Sequence, residues 1–146
     1  MAEDHSQDLH SGIAAFESKQ FGTALRLLSP LAQQGDPDAQ FRMAIMYQNG
    51  LGCVASQERA VEYMRNAADQ GHALAQHGLG FMYLEGECVD KDPEEAAKWF
   101  RLAGEQGMAG SLATLALMYK EGRGVERDDE EARRLYRQAG FDPDEM

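Results

Sequence analysis

The sequence predicts an all-α fold built from four helical hairpins of about 36 residues each. Two observations predict it. The stretches MAIMYQNGLGC (Met43 to Cys53), LGFMYLEGECV (Leu79 to Val89) and LALMYKEGRGV (Leu115 to Val125) start 36 residues apart, and the chain between them keeps the same phase. Within each copy the apolar residues follow helical spacing, and glycines stand where a helix would have to stop.

Elements follow from the letters in order. In the first helix of each window Ala39, Met43, Ala44 and Tyr47 fall on one face, as do their counterparts through Tyr83 and Tyr119. Small residues at Ala44, Gly80 and Ala116 allow a neighbouring helix to approach closely. Gly50, Gly86 and Gly122 end that helix, and a short loop follows. Gly52 and Gly124 share one loop position that Cys88 takes in the middle copy, so a differently bent loop is expected there. Ser56, Asp92 and Asp128 sit where an N-cap belongs, and Glu95 and Glu131 complete the spacing of a capping box. Pro93 fits the first position of its helix, Asp36 and Pro37 look like the cap and start of another, and Gly71 and Gly107 close theirs. The recurring Met46, Met82 and Met118 read as filling between repeats. At the front, Gly12 to Gly35 has the same form with a shorter loop, and Pro30 is expected to kink or weaken its second helix. Leu9, Ile13 and Phe16 could belong to the core or to an exposed face. His5 and His10 are read as part of a mobile leader, and the closing FDPDEM as a frayed tail.

Composition sets bounds. Against 14 basic residues stand 25 acidic ones, a formal net charge of −11, which opposes binding to nucleic acid or to an anionic membrane. Apolar runs such as MAIMY are far too short to cross a bilayer. The polar, acidic opening has no secretory pattern, so a cytoplasmic location is expected, or a periplasmic one if a signal peptide has been removed. Two cysteines, Cys53 and Cys88, exclude a disulfide scaffold and cannot close a zinc site. A Cys–His nucleophile pair is conceivable, but nothing in the sequence orients one, and His72 with His77 is poor spacing for metal ligands. No cofactor and no metal are expected, and no enzyme activity.

The recurring pattern [AS]-x-x-x-[LM]-[GA]-x-x-Y-x-x-G-x-[GC]-[VC], followed by [SD]-x-x-x-A-x-x-[YWL]-x-x-x-A, resembles the Sel-one-like repeat (SLR) family, relatives of the tetratricopeptide repeats. The resemblance implies a single domain over 1–146: a right-handed α-α superhelix, or solenoid, with repeats at about 8–36, 37–72, 73–108 and 109–140 and a tail at 141–146. It also implies that first helices line the concave side. The expected work is that of a protein-interaction scaffold or adaptor in bacterial signalling, regulation or envelope assembly, as a monomer or weak homo-oligomer. The alternatives are a secreted or periplasmic relative with small-molecule or cell-wall hydrolase activity, or a self-associating structural module.

On that architecture a peptide or protein partner would meet the first-helix positions outside the core stripe. These are Phe41, Ile45 and Gln48 in the second repeat, His77, Phe81 and Leu84 in the third, and Leu117 and Lys120 in the fourth. Phe41, Phe81 and Leu84 are expected to form an apolar floor, unless helix stacking buries them.

Overall fold

The computed structural model describes residues 6–146. His5 lies outside the described residues. The order is α1 (Ser6–Glu17), α2 (Phe21–Gln33), α3 (Pro37–Asn49), α4 (Gln57–Asp69), α5 (Ala73–Glu85), α6 (Pro93–Glu105), α7 (Ala109–Glu121) and α8 (Asp129–Gln138), then a 3-10 turn at Pro143–Glu145. Among the described residues there is no strand. None of their helices is long and apolar enough to cross a membrane. The chain forms two compact units, residues 1–75 and 76–146, with the division inside α5.

In the first unit α1 packs on α2, α2 on α3 and α3 on α4. Its core gathers Leu28, Leu31, Ala39, Met43 and Met46, with Leu9, Phe16, Phe21, Tyr47 and Tyr63 partly buried against it. The second unit packs α6 on α7 and α7 on α8. There Phe100, Leu115, Ala116, Met118 and Leu135 form the centre, flanked by Tyr83, Tyr119 and Tyr136.

One packing rule recurs inside the hairpins. A Cβ added at Gly12 would lie 2.5 Å from Leu28 Cδ2, and one added at Gly80 would lie 2.8 Å from the Phe100 ring. Leu28 and Phe100 hold the same phase in their second helices, 72 residues apart. Each fills the space left by a missing side chain across the hairpin. Burying a side chain such as Phe100, fully enclosed at 0% exposure, is worth about 1.5–3 kcal/mol. That exceeds the roughly 1 kcal/mol a helical glycine costs, so close packing wins.

The methionines Met46, Met82 and Met118 are buried, as filling residues should be. Their carbonyls also take part in the turn: Leu51, Glu87 and Arg123 each donate a backbone N–H to them at 2.9 Å. This is the six-to-one bond of a Schellman stop, which requires a left-handed residue just past the helix. Gly50, Gly86 and Gly122 supply it at φ +66°, +71° and +66°.

Cys88 corrects the expectation of a differently bent loop. It adopts φ +65°, matching Gly52 at +71° and Gly124 at +74°. The middle loop keeps the same left-handed conformation and carries the steric cost of a Cβ there, about 1–2 kcal/mol.

The second-helix caps are as expected in part. Ser56, Asp92 and Asp128 accept the N–H of Arg59, Glu95 and Glu131. The backbone N–H of each cap donates elsewhere than to the glutamate: to the carbonyl of Tyr47, Tyr83 or Tyr119, at 2.9, 2.8 and 3.0 Å. Glu95 instead pairs with Lys98, and Glu131 with Arg134. The hairpin loop therefore closes on the last turn of its own first helix.

Two further expectations change, those for His10 and for the closing residues. His10 lies within α1, not in a leader. Helix α2 runs through Pro30 to Gln33; Pro30 and Arg26, whose carbonyl loses its usual donor, are both exposed, so water can satisfy that carbonyl. The closing residues are ordered by contacts rather than frayed. Asp142 caps the 3-10 turn, Phe141 meets the Tyr136 ring at 5.1 Å, Arg133 pairs with Asp144, and Met146 packs against the core of the unit.

Candidate partner-binding faces on the first helices

In the first unit the candidate face is carried by α3. Phe41 is half-buried, and its ring stacks on His72 with centroids 5.0 Å apart. The Arg42 guanidinium lies 5.9 Å from the same ring. His72 is fixed from both sides. Its Nδ1 accepts the Ala75 N–H at 3.1 Å, so the proton sits on Nε2, which donates to Asp38 Oδ1 at 2.9 Å. His72 thereby caps the start of α5, one period after the Asp36 that caps α3. Ile45 and Gln48, one and two turns further along α3, are half-buried.

In the second unit the face is carried by α5 and α7. Phe81 is 36% exposed and Leu117 44%, at the same register position of successive first helices. Phe81 sets its edge against Phe100 and against His77, with centroids 4.9 Å apart in both pairs. His77 Nδ1 lies 2.6 Å from Ser111 Oγ, and burial lowers its pKa from the ordinary value, which favours the neutral ring. A Cβ on Gly110 would come within 3.4 Å of His77, so the absent side chain keeps the ring uncovered on that side. Lys120, one turn beyond Leu117, is exposed, as are Glu85 and Glu121 at the ends of these helices.

Leu84 is a correction. It is 5% exposed and belongs to the core with Leu115 and Met118. It shares its register position with Gln48 and Lys120, so only the apolar occupant of that position is drawn into the packing. The apolar side chains left exposed on this face of the second unit are therefore Phe81 and Leu117, not Leu84.

A set of glutamines carries more order than the sequence reading assigned to it. Gln40 and Gln76, each 5% exposed, accept at 2.8 Å from Gln70 and Gln106 respectively. Gln40 also donates to the Ala32 carbonyl, joining α3 to α2. Both pairs recur at 36 residues, a signal present in the sequence but hidden by the apolar pattern around it. Trp99 Nε1 is buried with no hydrogen-bond partner among the described residues.

Burial raises the pKa of both Cys53 and Cys88, against formation of a reactive thiolate. Cys53 Sγ is aimed at the carbonyls of Met46 and Leu51, 3.6 Å from each. Among the described residues no group of three His, Cys, Asp or Glu side chains could hold a metal ion.

These tandem hairpins define a helical-repeat protein, and comparison with known proteins gives the family. The Sel1 repeat model matches residues 37–72, 73–108 and 111–140, well over half of the chain. The protein belongs to the Sel1 repeat family. The hairpin α1–α2 precedes the matched residues and repeats their packing. A Sel1 repeat protein from Oxalobacter formigenes is similar over 89% of this chain and 54% of its own, with 34% identity and a TM-score of 0.84. The c5321 protein of uropathogenic Escherichia coli, described as a protective antigen with an SLR fold, matches 93% of this chain and 30% of its own, at 30% identity and a TM-score of 0.87. Cysteine-rich protein B (hcpB) of Helicobacter pylori shares the fold at 16% identity and a TM-score of 0.65, over 83% of this chain and 86% of that one. The chain thus spans about half the length of the first of these relatives and under a third of the second. A search of curated proteins gave no match. Sel1 repeat proteins generally act as protein-interaction scaffolds, a type that is generally non-catalytic.

Proposed function

We propose that this protein is a non-catalytic adaptor that holds a peptide or protein partner against its first helices, the concave side of a solenoid of this family, in a bacterial regulatory or envelope assembly. One observation carries the proposal: Phe81 and Leu117 are exposed at one register position on successive first helices, where the residues beside them on the same helices, Met82, Ala116 and Met118, are buried. An apolar side chain kept in water at a repeated position is available to desolvate against a partner. On α3 the same register position is held by Ile45, which is half-buried, as is Phe41 one turn earlier. The neighbouring Lys120, Glu85 and Glu121 would set the charge rim. The cytoplasm is the proposed location.

The test is reconstitution. A partner co-purified from cells is identified, expressed and titrated against the protein, against Leu117→Glu and Phe81→Glu variants, and against a Leu102→Glu control. Leu102 is 43% exposed on α6, a second helix. The proposal predicts a loss of about tenfold or more in affinity for the first two, roughly 1.4 kcal/mol or more, with helical content retained and the control unchanged. Equal affinity for all four would refute it.

A further inference from the structure

Three departures from the repeat fall together in the second unit. On α5, His77 takes the register position that Phe41 and Ala113 hold in the repeats before and after it. On α7, Gly110 stands in the register of Asp38 and Leu74, and Ser111 in the register of Ala39 and Ala75. Ala39, Ala75 and Ser111 are all fully buried. Alanine is therefore what the packing at that position needs, and the added hydroxyl calls for another reason.

The imidazole supplies it. Ser111 Oγ lies 2.6 Å from His77 Nδ1, the one side-chain hydrogen bond this hydroxyl makes among the described residues. A hydroxyl shut away from water must place its proton on an acceptor. Ser111 thus donates, Nδ1 accepts, and the proton of the neutral ring sits on Nε2. Phe81 and Phe100 hold the ring edge to face, with centroids 4.9 and 5.7 Å away. Nε2 itself has no hydrogen-bond partner among the described residues, and it is not a buried atom. A Cβ at Gly110 would lie 3.8 Å from it, so a longer side chain there would crowd it. In the first unit the contrasting case is His72, whose Nε2–H is taken by Asp38, the residue in the register of Gly110. The second unit therefore presents an oriented N–H donor that the chain does not use.

We propose that His77 Nε2–H is a recognition donor for a main-chain carbonyl of the partner polypeptide, whose neighbouring apolar side chain desolvates Phe81 and Leu117. The inference rests on the adaptor reading and adds to it the chemical group that is recognised. A neutral carbonyl fits better than a carboxylate, on two grounds. Burial favours the uncharged ring. The ends of α5 and α7 carry Glu85 and Glu121 against the single cation Lys120, on a chain of net charge −11, and so disfavour an anion. An extended peptide offers carbonyls and side chains by turns, which suits a donor set beside apolar groups. Ser111 acts as a positioning residue, through the tautomer it imposes.

Two measurements test this. Long-range nitrogen–proton correlation spectra at about pH 8, above the histidine range, should show His77 protonated at Nε2 and bare at Nδ1. Ser111→Ala, which restores the alanine of the other repeats, should mix the tautomers. A proton on Nδ1 in the unaltered protein would overturn the proposal. The binding probe is the uncharged blocked tripeptide Ac-Ala-Leu-Ala-NH2, titrated up to its solubility limit. It should shift the His77 Nε2 and Phe81 ring resonances, and acetate at equal concentration should not. Gly110→Leu, which installs the residue of Leu74's register and a better helix former, should abolish the shifts. His77→Phe, which keeps an aromatic ring as at Phe41, should weaken binding read at Phe81 by about tenfold, and Leu102→Glu should change nothing. No shift at His77, an equal response to acetate, or shifts at Phe81 that survive both substitutions would each overturn the donor role. The reconstituted partner separates this inference from the reading beneath it. Affinity lost on Phe81→Glu but kept on His77→Phe removes the donor and leaves the adaptor standing, whereas affinity kept on Phe81→Glu removes the adaptor reading itself.

Discussion

At the scale of single residues, three side chains give direct checks. Burial depresses the pKa of His77, so the unfolded chain takes up a proton at a higher pH than the folded one. Stability tied to the neutral ring is complete above about pH 6.5, the ordinary histidine value, and is lost as pH falls through the lower folded value. Thermal melts between pH 7 and 5 should therefore show a steeper fall for the protein than for a His77→Gln variant. Parallel curves would show that the ring is not desolvated. The carboxylates with lowered values, Glu131 and Asp144, act below this window, because both start from ordinary carboxylate values. A second check contrasts two occupants of one loop position. Cys88→Gly should stabilise by about 0.5–1 kcal/mol, by relieving a left-handed Cβ. Gly124→Ala should destabilise by about 2 kcal/mol or more, since its Cβ would lie 2.3 Å from the Pro93 carbonyl oxygen. Denaturant titration measures both, and the same sign for the two would contradict the assignment of one conformation to both loops.

At the scale of the element, the helices were legible because their signals are local. Apolar spacing, an Asp or Ser cap and a left-handed glycine each act within one turn of chain; α3, α4 and α6 follow from all three, and α7 from its apolar spacing and Gly122. What was not legible was where a cap's own N–H goes. The glutamate of a capping box and the tyrosine carbonyl compete for it, and the tight hairpin loop brings the carbonyl closer. Likewise FDPDEM is too short to show a helical period, yet contacts with α8 order it. Asp92→Ala should cost about 1 kcal/mol, the usual loss of a side-chain cap. Glu95→Ala should cost less, because Glu95 contributes only a Lys98 pair in which the lysine is 73% exposed. Equal losses would mean that the reciprocal box forms in solution.

At the scale of the whole molecule, the family and repeat number could be read from the period, and the partner faces only incompletely. Register assigns Phe41, Phe81 and Leu84 alike to an outer position, but the packing of the second unit takes Leu84 and leaves Phe81 and Leu117 in water. That choice depends on which neighbours the hairpins bring together, which no single helix encodes. The same limit hid the roles of His72 and His77: each has a hydrogen-bond partner 34 residues earlier or later in the chain, Asp38 and Ser111. Site-specific photo-crosslinking tests the central claim most directly. With a benzophenone side chain placed in turn at positions 81, 117 and 102, the account predicts covalent capture of the reconstituted partner from the first two, on α5 and α7. Capture from position 102 on α6, with none from 81 or 117, would contradict it.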